Sequence, residues 1–338
     1  MSEPELRVCL DESDLDAALR FDARRGLTST PKYLPMRLHY DGRGAALFTE
    51  LTRQPEYYPT RAERQILTAR ADEIADVLAT ESNTGGFESP MGAPLSVIEL
   101  GAGAAEKIRV VLDALERDGQ LESFWPFDAD AGSVRNVLTV FAEAYPDIRL
   151  GGIVGDFTLH LDHLPDSQTP RLVAFLGGTF GNLTEPEREQ FLQDLREALR
   201  PGDWFMVGAD LVKDPEVILA AYNDAAGVTA EFNRNVLHVL NDRLGADFDP
   251  EGFEHLALWD EGAATIEFRL RALRPMAVRL DAIGVSVEFA AGEEIRTGVS
   301  TRFRSEDLER ELRAAGFRPE HCWADPGDRF GVFLSRAT

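Results

Sequence analysis

The residues with the clearest chemical signal form a short strand, a glycine turn and the start of a helix. Residues 97–100 are a largely apolar run that predicts a buried strand, and Gly101 and Gly103 follow directly. Glycines at such a turn allow a sharp change of direction and let a ligand approach the backbone closely. Apolar side chains at helical spacing then begin at Ile108. This pattern is typical of the first strand and helix of a nucleotide-binding fold.

One residue after this turn bears on which nucleotide could bind there. The third glycine of a dinucleotide fingerprint is missing, because that position is Glu106. An acid at a helix start would repel a pyrophosphate, so a cationic ligand without phosphate fits better. S-adenosylmethionine (SAM), whose sulfonium is positive, is such a ligand, and it leaves as S-adenosylhomocysteine after its methyl is transferred. Because the sulfonium supplies the leaving group, we expect no metal.

Acidic and aromatic side chains follow the next two predicted strands, where a parallel sheet binds its ligands. Asp128 closes the second strand and could hold the ribose hydroxyls. Asp156 and Phe157 follow the third strand, where the acid could accept from the adenine amino group and the ring could cover the base. Each acid could equally cap a helix, since aspartate favours caps.

Two further side chains could hold the amino-acid parts of the ligands. Lys107 begins the helix after the glycine turn, and it could pair with Glu99 or hold the carboxylate of SAM. Asn182 lies in a glycine-rich segment after the fourth strand, where an amide could hold an amine nucleophile. An ordinary turn asparagine is the alternative for Asn182.

The order of the predicted elements brings these side chains to one edge of a sheet. Strands and helices alternate from residue 96 to 211, which predicts a parallel sheet with helices on both faces. After Lys213 the alternation gives way to antiparallel strand-like segments, and residues 305–334 return a helix and a hairpin. We therefore predict an α/β fold, with a class I (Rossmann-like) methyltransferase core at residues 62–212 and 303–338 and a second α+β substrate-binding lobe at residues 1–61 and 213–302.

The segment before the core carries a helix signal and a connection. Thr60 is a good N-cap with Glu63 three residues later, which predicts a helix over residues 61–79. Residues 80–95 are rich in Ser, Asn, Gly and Pro, which predicts a flexible surface connection into the first core strand.

Composition and charge narrow the choice of partners. The chain has 338 residues, enough for a sizeable core and two lobes, and a formal net charge of −24. Such an acidic balance argues against nucleic acid, because phosphate binding needs basic surface. Two widely separated cysteines, no signal sequence and no long apolar run predict a cytoplasmic protein that does not enter a membrane. We expect a small-molecule substrate, with a monomer as the expected state.

Longer motifs extend beyond the glycine turn. They occupy residues 56–61, 99–103, 126–128, 155–157, 175–177, 181–184, 210–214 and 232–235. Together these motifs resemble the histidine Nα-methyltransferase family of ergothioneine biosynthesis, and the resemblance covers nearly the whole chain. That family makes the trimethylated betaine of histidine from three SAM molecules, and it pairs a SAM-binding core with a second lobe that holds the amino acid.

The resemblance assigns roles to residues of this chain. The SAM contacts that it implies are Gly101, Lys107, Asp128, Asp156 and Phe157. It implies that Tyr57, Asn182 and Tyr222 bind the α-amino and carboxylate ends of the substrate, and that Tyr40 lies near the amine. Catalysis would then fall to Tyr40 and Asn182. Ser300 matches a family serine that touches the substrate ring.

Two positions depart from the family pattern, and both belong to the ring pocket. Gly298 stands where the family has a glutamate that grips the imidazole N–H, and Phe268 stands where it typically has a methionine. Losing a buried acid removes the reason to prefer imidazole, while a glycine beside an aromatic face predicts a larger, less polar pocket. We therefore predict methylation of an indole-bearing, tryptophan-like amino acid or derivative.

Other functions remain open from the sequence alone. Glu293 or Glu294 could replace the lost acid, which would keep histidine as the substrate and its Nα-trimethylation to hercynine as the reaction. The methyl could instead go to indole C3 of a tryptophan derivative. The chain could also bind SAM without catalysis, in which case a panel of amines and indoles would give no product.

Overall fold

The computed structural model describes residues 4–81 and 94–338. In chain order its helices and strands are β1 (Glu5–Val8), α1 (Glu12–Leu27), β2 (Lys32–Tyr33), α2 (Gly42–Leu51), α3 (Pro59–Glu81), β3 (Leu95–Leu100), α4 (Arg109–Arg117), β4 (Leu121–Asp128), α5 (Ala131–Ala144), β5 (Arg149–Val154), β6 (Arg171–Phe175), α6 (Glu185–Ala198), β7 (Trp204–Asp210), α7 (Pro215–Ala221), α8 (Val228–Leu244), β8 (Phe253–Asp260), β9 (Thr265–Ala272), β10 (Met276–Leu280), β11 (Val285–Phe289), β12 (Glu294–Thr301), α9 (Ser305–Ala314), β13 (Phe317–Ala324) and β14 (Phe330–Ala337).

The chain folds into two compact units, and neither is continuous in sequence. Unit 1 comprises Met1–Leu10, Arg61–Leu211 and Phe303–Thr338, whereas unit 2 comprises Asp11–Thr60 and Val212–Arg302.

Unit 1 is built on a mixed sheet. Among the described residues its strand order is β1-β5-β4-β3-β6-β7-β14-β13. In this order, neighbouring strands pair in parallel from β1 at the edge through β5, β4, β3 and β6 to β7. Strand β14 runs antiparallel to both β7 and β13. The chain winds from β3 first towards β5 and then from β3 towards β7. In sheets of this kind ligands bind beyond the carboxyl ends of the strands where the order reverses, which here is the end of β3. The predicted parallel α/β core is therefore confirmed.

Helices cover both faces of this sheet because its strands are apolar on both sides. Val97 of β3 packs into a core with α3, α4 and α5, whereas its neighbour Ile98 packs into a second core with α6 and α9. Such strands read as nearly continuous apolar runs, which is why the sequence reveals them. The Asp130 side chain caps α5 by accepting from the N–H groups of Gly132 and Ser133. Because α5 therefore begins directly after β4, this cap sets the end of the strand.

The first residues of the chain lie in unit 1, which corrects one predicted boundary. The sequence prediction gave residues 1–61 to the second lobe. However, β1 adds a strand beside β5, and the N–H of Cys9 donates to the carbonyl of Val154 at 2.8 Å. The prediction was wrong for residues 1–10, because the sequence of a short strand does not show which sheet it joins.

The helix before the first core strand also begins earlier than its capping signal indicated. Helix α3 starts at Pro59, so Thr60 lies in its first turn and is not the N-cap. Proline is favoured at the first helical position, because its fixed φ suits the helix and its missing N–H would have had no partner there. The predicted connection at residues 80–95 lies largely outside the described residues.

Unit 2 is built on a four-stranded sheet with the order β2-β12-β9-β8, together with the hairpin β10-β11. Strand β9 alternates cleanly, with Ile266, Phe268 and Leu270 buried between less buried polar residues. Helix α8 buries Val236 and Leu240 in the same core as Leu270. The predicted antiparallel strands are confirmed, but β9 pairs with β8 and β12, while β10 pairs with β11. No described helix meets the length and apolarity needed to cross a bilayer.

Candidate active site

The glycine turn after β3 is open and exposes its backbone. Gly101 and Gly103 have φ values of 64° and 53°, in the left-handed region that favours glycine. The N–H of Gly101 donates to the carbonyl of Phe127 at 2.8 Å, which ties the turn to the end of β4. A Cβ built on Gly103 would meet no atom within 4 Å. The turn therefore leaves space against its backbone for a ligand.

Asp128, at the end of β4, faces this turn. Its Oδ2 accepts the Gly103 N–H at 2.9 Å and its Oδ1 accepts the Asp130 N–H at 3.0 Å. Burial raises the pKa of Asp128, and these backbone hydrogen bonds oppose that effect. A carboxylate has about four acceptor sites, so capacity for a ribose diol is left after these two bonds.

Asp156 and Phe157 lie beyond the end of β5. The Oδ1 of Asp156 accepts from the N–H and the hydroxyl of Thr158, at 2.8 and 2.6 Å. The carboxylate is thus held in place by one oxygen, which leaves the other for a ligand. The Phe157 ring packs edge-on against Phe175 at 4.8 Å, and a Cβ on Gly101 would lie 3.7 Å from its Cε1. Phe157 therefore lies beside the glycine turn.

Glu99 supplies a further observation that favours a cationic ligand here. This side chain is 4% exposed, and within the described residues its Oε2 has no hydrogen-bond partner. Burial raises the pKa of Glu99 well above its usual range, although the nearby Lys107 ammonium opposes this. A buried acceptor without a donor is costly, so its position next to the turn fits a ligand that carries an N–H⁺ group, as the ammonium of SAM does.

Lys107 makes a different ion pair from the predicted one with Glu99. Its ammonium donates to Oε2 of Glu63 at 2.6 Å, and the Glu63 side chain is fully buried. Glu63 also accepts the N–H of Gly177, at the end of β6, at 2.9 Å. Gly208 of β7 makes room for this acid, because a Cβ there would lie 1.9 Å from the Glu63 carboxylate. The sequence offered Glu63 only as a capping residue, a role excluded once α3 begins at Pro59.

Asn182 ends the short helical turn Thr179–Asn182 that follows β6. Gly177 and Gly178 precede the turn with φ values of 90° and 71°, so this segment leaves the strand sharply. Asn182 lies in unit 1, whereas the other residues predicted to bind the amino acid lie in unit 2.

The aromatic residues predicted to bind substrate lie together in unit 2. Tyr222 contacts both Tyr57 and Phe268, with ring centroids 5.9 and 5.1 Å apart. Tyr40 joins the group through Phe48, whose ring is 5.6 Å from Tyr40 and 6.2 Å from Tyr57. The sequence prediction missed Phe48 as a member of this cluster, because an apolar residue on a helix gives no sign of which site it lines.

The strand β12 brings Gly298 and Ser300 beside this aromatic cluster. Gly298 pairs with Phe268 across the antiparallel ladder, and Ser300 pairs with Ile266. Ser300 is 4% exposed, and its hydroxyl accepts a hydrogen bond from Arg302. The sequence prediction also missed Arg302, a buried cation two residues beyond the predicted serine.

Gly298 does not enlarge the pocket as predicted. A Cβ at this position would lie 2.6 Å from Sδ of Met36 and 2.8 Å from Cδ2 of Phe268. The volume that a side chain at 298 would occupy is therefore already filled by these two residues. The physical premise for a larger, indole-sized pocket was wrong.

The two acids considered as replacements for the missing glutamate already form ion pairs with other side chains. Glu293 pairs with Lys32, which holds the pKa of its carboxyl below the usual range. Glu294 accepts from Arg269 and Arg271, each at 2.7 Å. These arginines outweigh burial and lower the pKa of Glu294. Neither carboxylate is free to take over the ring N–H.

No group of three or more His, Cys, Asp or Glu side chains that could hold a metal ion occurs in the described part of the chain.

A family model described as "Histidine-specific methyltransferase, SAM-dependent" matches residues 19–337. The chain belongs to this family. It is therefore a SAM-dependent methyltransferase, with an α/β core of the class I type, and SAM is its methyl donor. The family resemblance inferred from the motifs is confirmed. The family match does not support the alternative in which the chain binds SAM without catalysing a reaction.

The relatives correct the predicted substrate. A histidine N-alpha-methyltransferase of Mycolicibacterium smegmatis is 46% identical over 318 residues, and one of Mycobacterium tuberculosis is 43% identical. Each alignment covers 94% of this chain and 94% of the relative. A 4-dimethylallyltryptophan N-methyltransferase of Penicillium roqueforti is 25% identical, covering 95% of this chain and 94% of the relative. The prediction of an indole-bearing, tryptophan-like substrate was wrong, because the far more similar relatives act on histidine.

Proposed function

We propose that this enzyme methylates the α-amine of histidine with SAM, three times in succession to the betaine hercynine. The observation that carries the proposal is the 46% identity, over 94% of both chains, to a histidine N-alpha-methyltransferase. The aromatic cluster around Tyr222 supports it, because it gathers the residues expected to hold an amino acid.

Unit 1 supplies the groups that we assign to SAM, beginning with the open backbone at Gly103. Bound SAM presents an electrophilic methyl on a positive sulfonium, so transfer to an amine is a direct displacement. Asp128 would accept from the ribose hydroxyls, and Asp156 would accept from the adenine amino group beside Phe157. The unpartnered oxygen of Glu99 would receive the ammonium of SAM. These contacts favour the charged cofactor over a phosphate-bearing one.

The carboxylate of SAM falls to Lys107 in this proposal. Its ammonium carries three donors, of which the structure commits one to Glu63. The bond to the fully buried Glu63 also fixes the direction of the lysine side chain. Lys107 can therefore hold a second carboxylate while Glu63 keeps it in position.

Unit 2 supplies the groups that we assign to the amino acid. The phenols of Tyr57 and Tyr222 would hold its α-amino and carboxylate ends, and Phe268 would form a wall for its ring. We keep the predicted role of Asn182 as an amide that holds the α-amine. The amine must lose a proton before it attacks; the Tyr40 hydroxyl would accept it while passing its own proton to water, or water would take it directly. Alignment of nucleophile, methyl and sulfur can contribute about 7–11 kcal/mol to such a reaction.

Mass spectrometry of a reaction with histidine tests this proposal. Enzyme, SAM and histidine should give mono-, di- and trimethylated histidine, with fragmentation placing every methyl on the α-nitrogen. Asn182→Ala should lower kcat/KM by about 10- to 100-fold, because a hydrogen bond to a charged group contributes about 1.5–3 kcal/mol. Asn223→Ala, at an exposed position of unit 2, is the matched control and should leave kcat/KM unchanged.

The proposal fails if calorimetry detects binding of S-adenosylhomocysteine while histidine remains unmethylated at high enzyme concentration. Methyl groups found on a ring nitrogen would overturn the assignment of the nucleophile alone. A cytoplasmic location and a monomeric state are part of the proposal, and size-exclusion chromatography with light scattering checks the second of these.

A further inference from the structure

Arg302 is a buried cation that contacts two residues assigned to the substrate. Its side chain is 2% exposed, and its Nη1 donates to Oγ of Ser300 at 2.9 Å and to the carbonyl of Thr301 at 3.1 Å. Its guanidinium carbon also lies 4.9 Å from the centre of the Tyr222 ring. One side chain thus fixes the serine expected at the substrate ring and lies against the ring of a tyrosine expected at its amino-acid end.

The hydrogen bond from Arg302 determines what Ser300 can still offer. A hydroxyl has one proton to donate, and its oxygen here already accepts from Nη1. Ser300 is 4% exposed, and no residue of the described ranges accepts its proton. A buried hydroxyl proton without an acceptor is unfavourable, so a ligand that supplies an acceptor is favoured at this position.

We propose that Arg302 is a positioning residue that presents Ser300 as a hydrogen-bond donor to the unprotonated ring nitrogen of the substrate imidazole. This inference rests on the proposed function, since it concerns how histidine is recognised. It follows from the loss of the acid at Gly298, because Glu293 and Glu294 are held by other residues. The ring is then recognised through its acceptor nitrogen and not through its N–H.

This arrangement selects the neutral form of the substrate ring. A protonated imidazole has no acceptor nitrogen, and it would also face the charge of Arg302. Nearby charged residues on β9 and β12 form ion pairs with one another, namely Glu267, Arg269 and Glu294. In the paired strands their positions alternate with the pair formed by Ser300 and Ile266. Burial lowers the pKa of His255, which disfavours a positive charge on that ring.

Histidine analogues test the recognition step on the unmodified enzyme. Two thiazolylalanines keep an acceptor nitrogen at one ring position or the other, and neither has a ring N–H. We expect one of them to be methylated with a KM within about threefold of that for histidine, while pyrrolylalanine, with an N–H and no acceptor, is bound at least about tenfold more weakly. Refusal of both thiazolylalanines by an enzyme that methylates histidine would overturn the proposal.

The pH dependence of KM gives a second readout on the same enzyme. The KM for histidine should rise about tenfold per pH unit below the imidazole pKa of about 6.5, whereas the KM for the accepted thiazolylalanine should not follow that pKa. Parallel profiles for the two substrates would contradict the selection of a neutral ring.

Variants then test whether Arg302 acts through Ser300. Ser300→Ala and Arg302→Met should each raise the KM for histidine by about 10-fold with kcat within about threefold, and the double variant should be no worse than the more affected single one. Arg302→Lys should recover part of the loss, because it keeps a donor. Arg296→Met, at a half-exposed arginine of the strand that carries Ser300, is the control and should leave KM unchanged.

The outcomes separate this proposal from the proposed function. If histidine is methylated but the effects of Ser300→Ala and Arg302→Met are additive, Arg302 does not act through the serine and the inference is wrong. If Arg302→Met does not fold, Arg302→Lys alone and combined with Ser300→Ala decides it, because the lysine should have no further effect once the serine hydroxyl is gone. If wild-type enzyme binds S-adenosylhomocysteine by calorimetry but never methylates histidine, the proposed function is the part that fails.

Discussion

Glu99 is a buried carboxyl group in β3, directly before the glycine turn at which we expect the ligand to bind. Its Oε2 is without a partner in the described residues, and burial raises its pKa well above the usual range. The folded protein therefore binds a proton at this site more tightly than the unfolded chain does. Any stability that this group contributes is present below its unfolded pKa and is lost as pH rises through its folded pKa.

Glu99→Gln should therefore stabilise the enzyme without ligand, and more so at pH 8 than at pH 5. The variant removes a buried ionisable acceptor, which is worth about 1–3 kcal/mol at the higher pH. It should also weaken SAM binding, because the ammonium loses its carboxylate. Thermal unfolding at both pH values and calorimetry with SAM measure these effects. Glu106→Gln, on the exposed part of the same turn, should change neither; an equal gain for Glu99→Gln at both pH values would contradict the argument.

Gly298→Ala should destabilise the enzyme by about 1–3 kcal/mol, because its Cβ would overlap Met36 and Phe268. Met36→Ala should remove part of that penalty, so the double variant should lose less stability than the sum of the two single ones. Chemical unfolding monitored by circular dichroism measures the three free energies. Gly42→Ala is the matched control, because no atom lies within 4 Å of a Cβ there. Strictly additive losses would mean that the space beside Gly298 is not shared.

At the scale of an element, helix α8 organises the segment that carries Tyr40. Asn235 of this helix donates through Nδ2 to the carbonyl of His39 at 3.0 Å and to Oδ1 of Asp41 at 2.7 Å. Phe232 packs on Tyr40 with ring centroids 5.3 Å apart. The motif at residues 232–235 resembled the family in sequence, and its structural role is to hold the backbone around Tyr40 in place.

Asn233 of the same helix joins segments that are far apart in sequence. Its Nδ2 donates to Nδ1 of His255 at 2.8 Å, and its Oδ1 accepts from the Thr297 hydroxyl. The Nε2 of His255 in turn donates to the carbonyl of Tyr222 at 2.9 Å. The sequence could not predict this network, because an amide in a helix gives no indication of which distant segments supply its partners.

Asn233→Ala should lower the free energy of unfolding by about 3 kcal/mol or more, since it leaves several buried partners unsatisfied. It should also raise the KM for the amino acid more than the Kd for SAM, because its partners reach Tyr222 in unit 2 and not the glycine turn. Urea unfolding and calorimetry with each ligand separate the two effects. Asn241→Ala is the control: among the described residues its amide bonds the backbone of Phe248, so the variant should show a smaller loss of stability and no change in KM.

At the scale of the whole molecule, the sequence predicted the alternating strands and helices of the fold. It missed the contacts between segments that are far apart in the sequence. Buried parallel strands such as β3 are apolar throughout, and their alternation with helices can be read directly. The sequence does not show which sheet the short strands β1 and β2 join, because each pairs with a strand more than a hundred residues away. In the candidate site, the position of Asp128 at the end of β4 could be predicted, whereas the contacts of Glu63 and Arg302 could not.

Deleting residues 1–10 tests the place of β1 in unit 1. Its removal leaves β5 as the sheet edge, exposes the face of Gly152 that Leu6 covers, and removes Arg7 from the Trp125 ring. Amides of β5 should then exchange with solvent faster, and the protein should aggregate more readily, because an uncovered edge strand offers unpaired backbone groups. Hydrogen exchange measured by mass spectrometry resolves this by segment. Amides of β9 should keep their protection, since that strand belongs to the core of unit 2.

The matched control is deletion of residues 1–3, which precede β1 and should leave exchange unchanged. Equal exchange of β5 in the two deletions would show that β1 adds nothing to the sheet. Faster exchange of β5 and β9 together would show instead that the two units unfold cooperatively, so that the loss of one edge strand lowers the stability of both. Faster exchange confined to β5 means that the first ten residues stabilise the sheet that carries the proposed SAM site, although they precede every motif from which the sequence predicts that site.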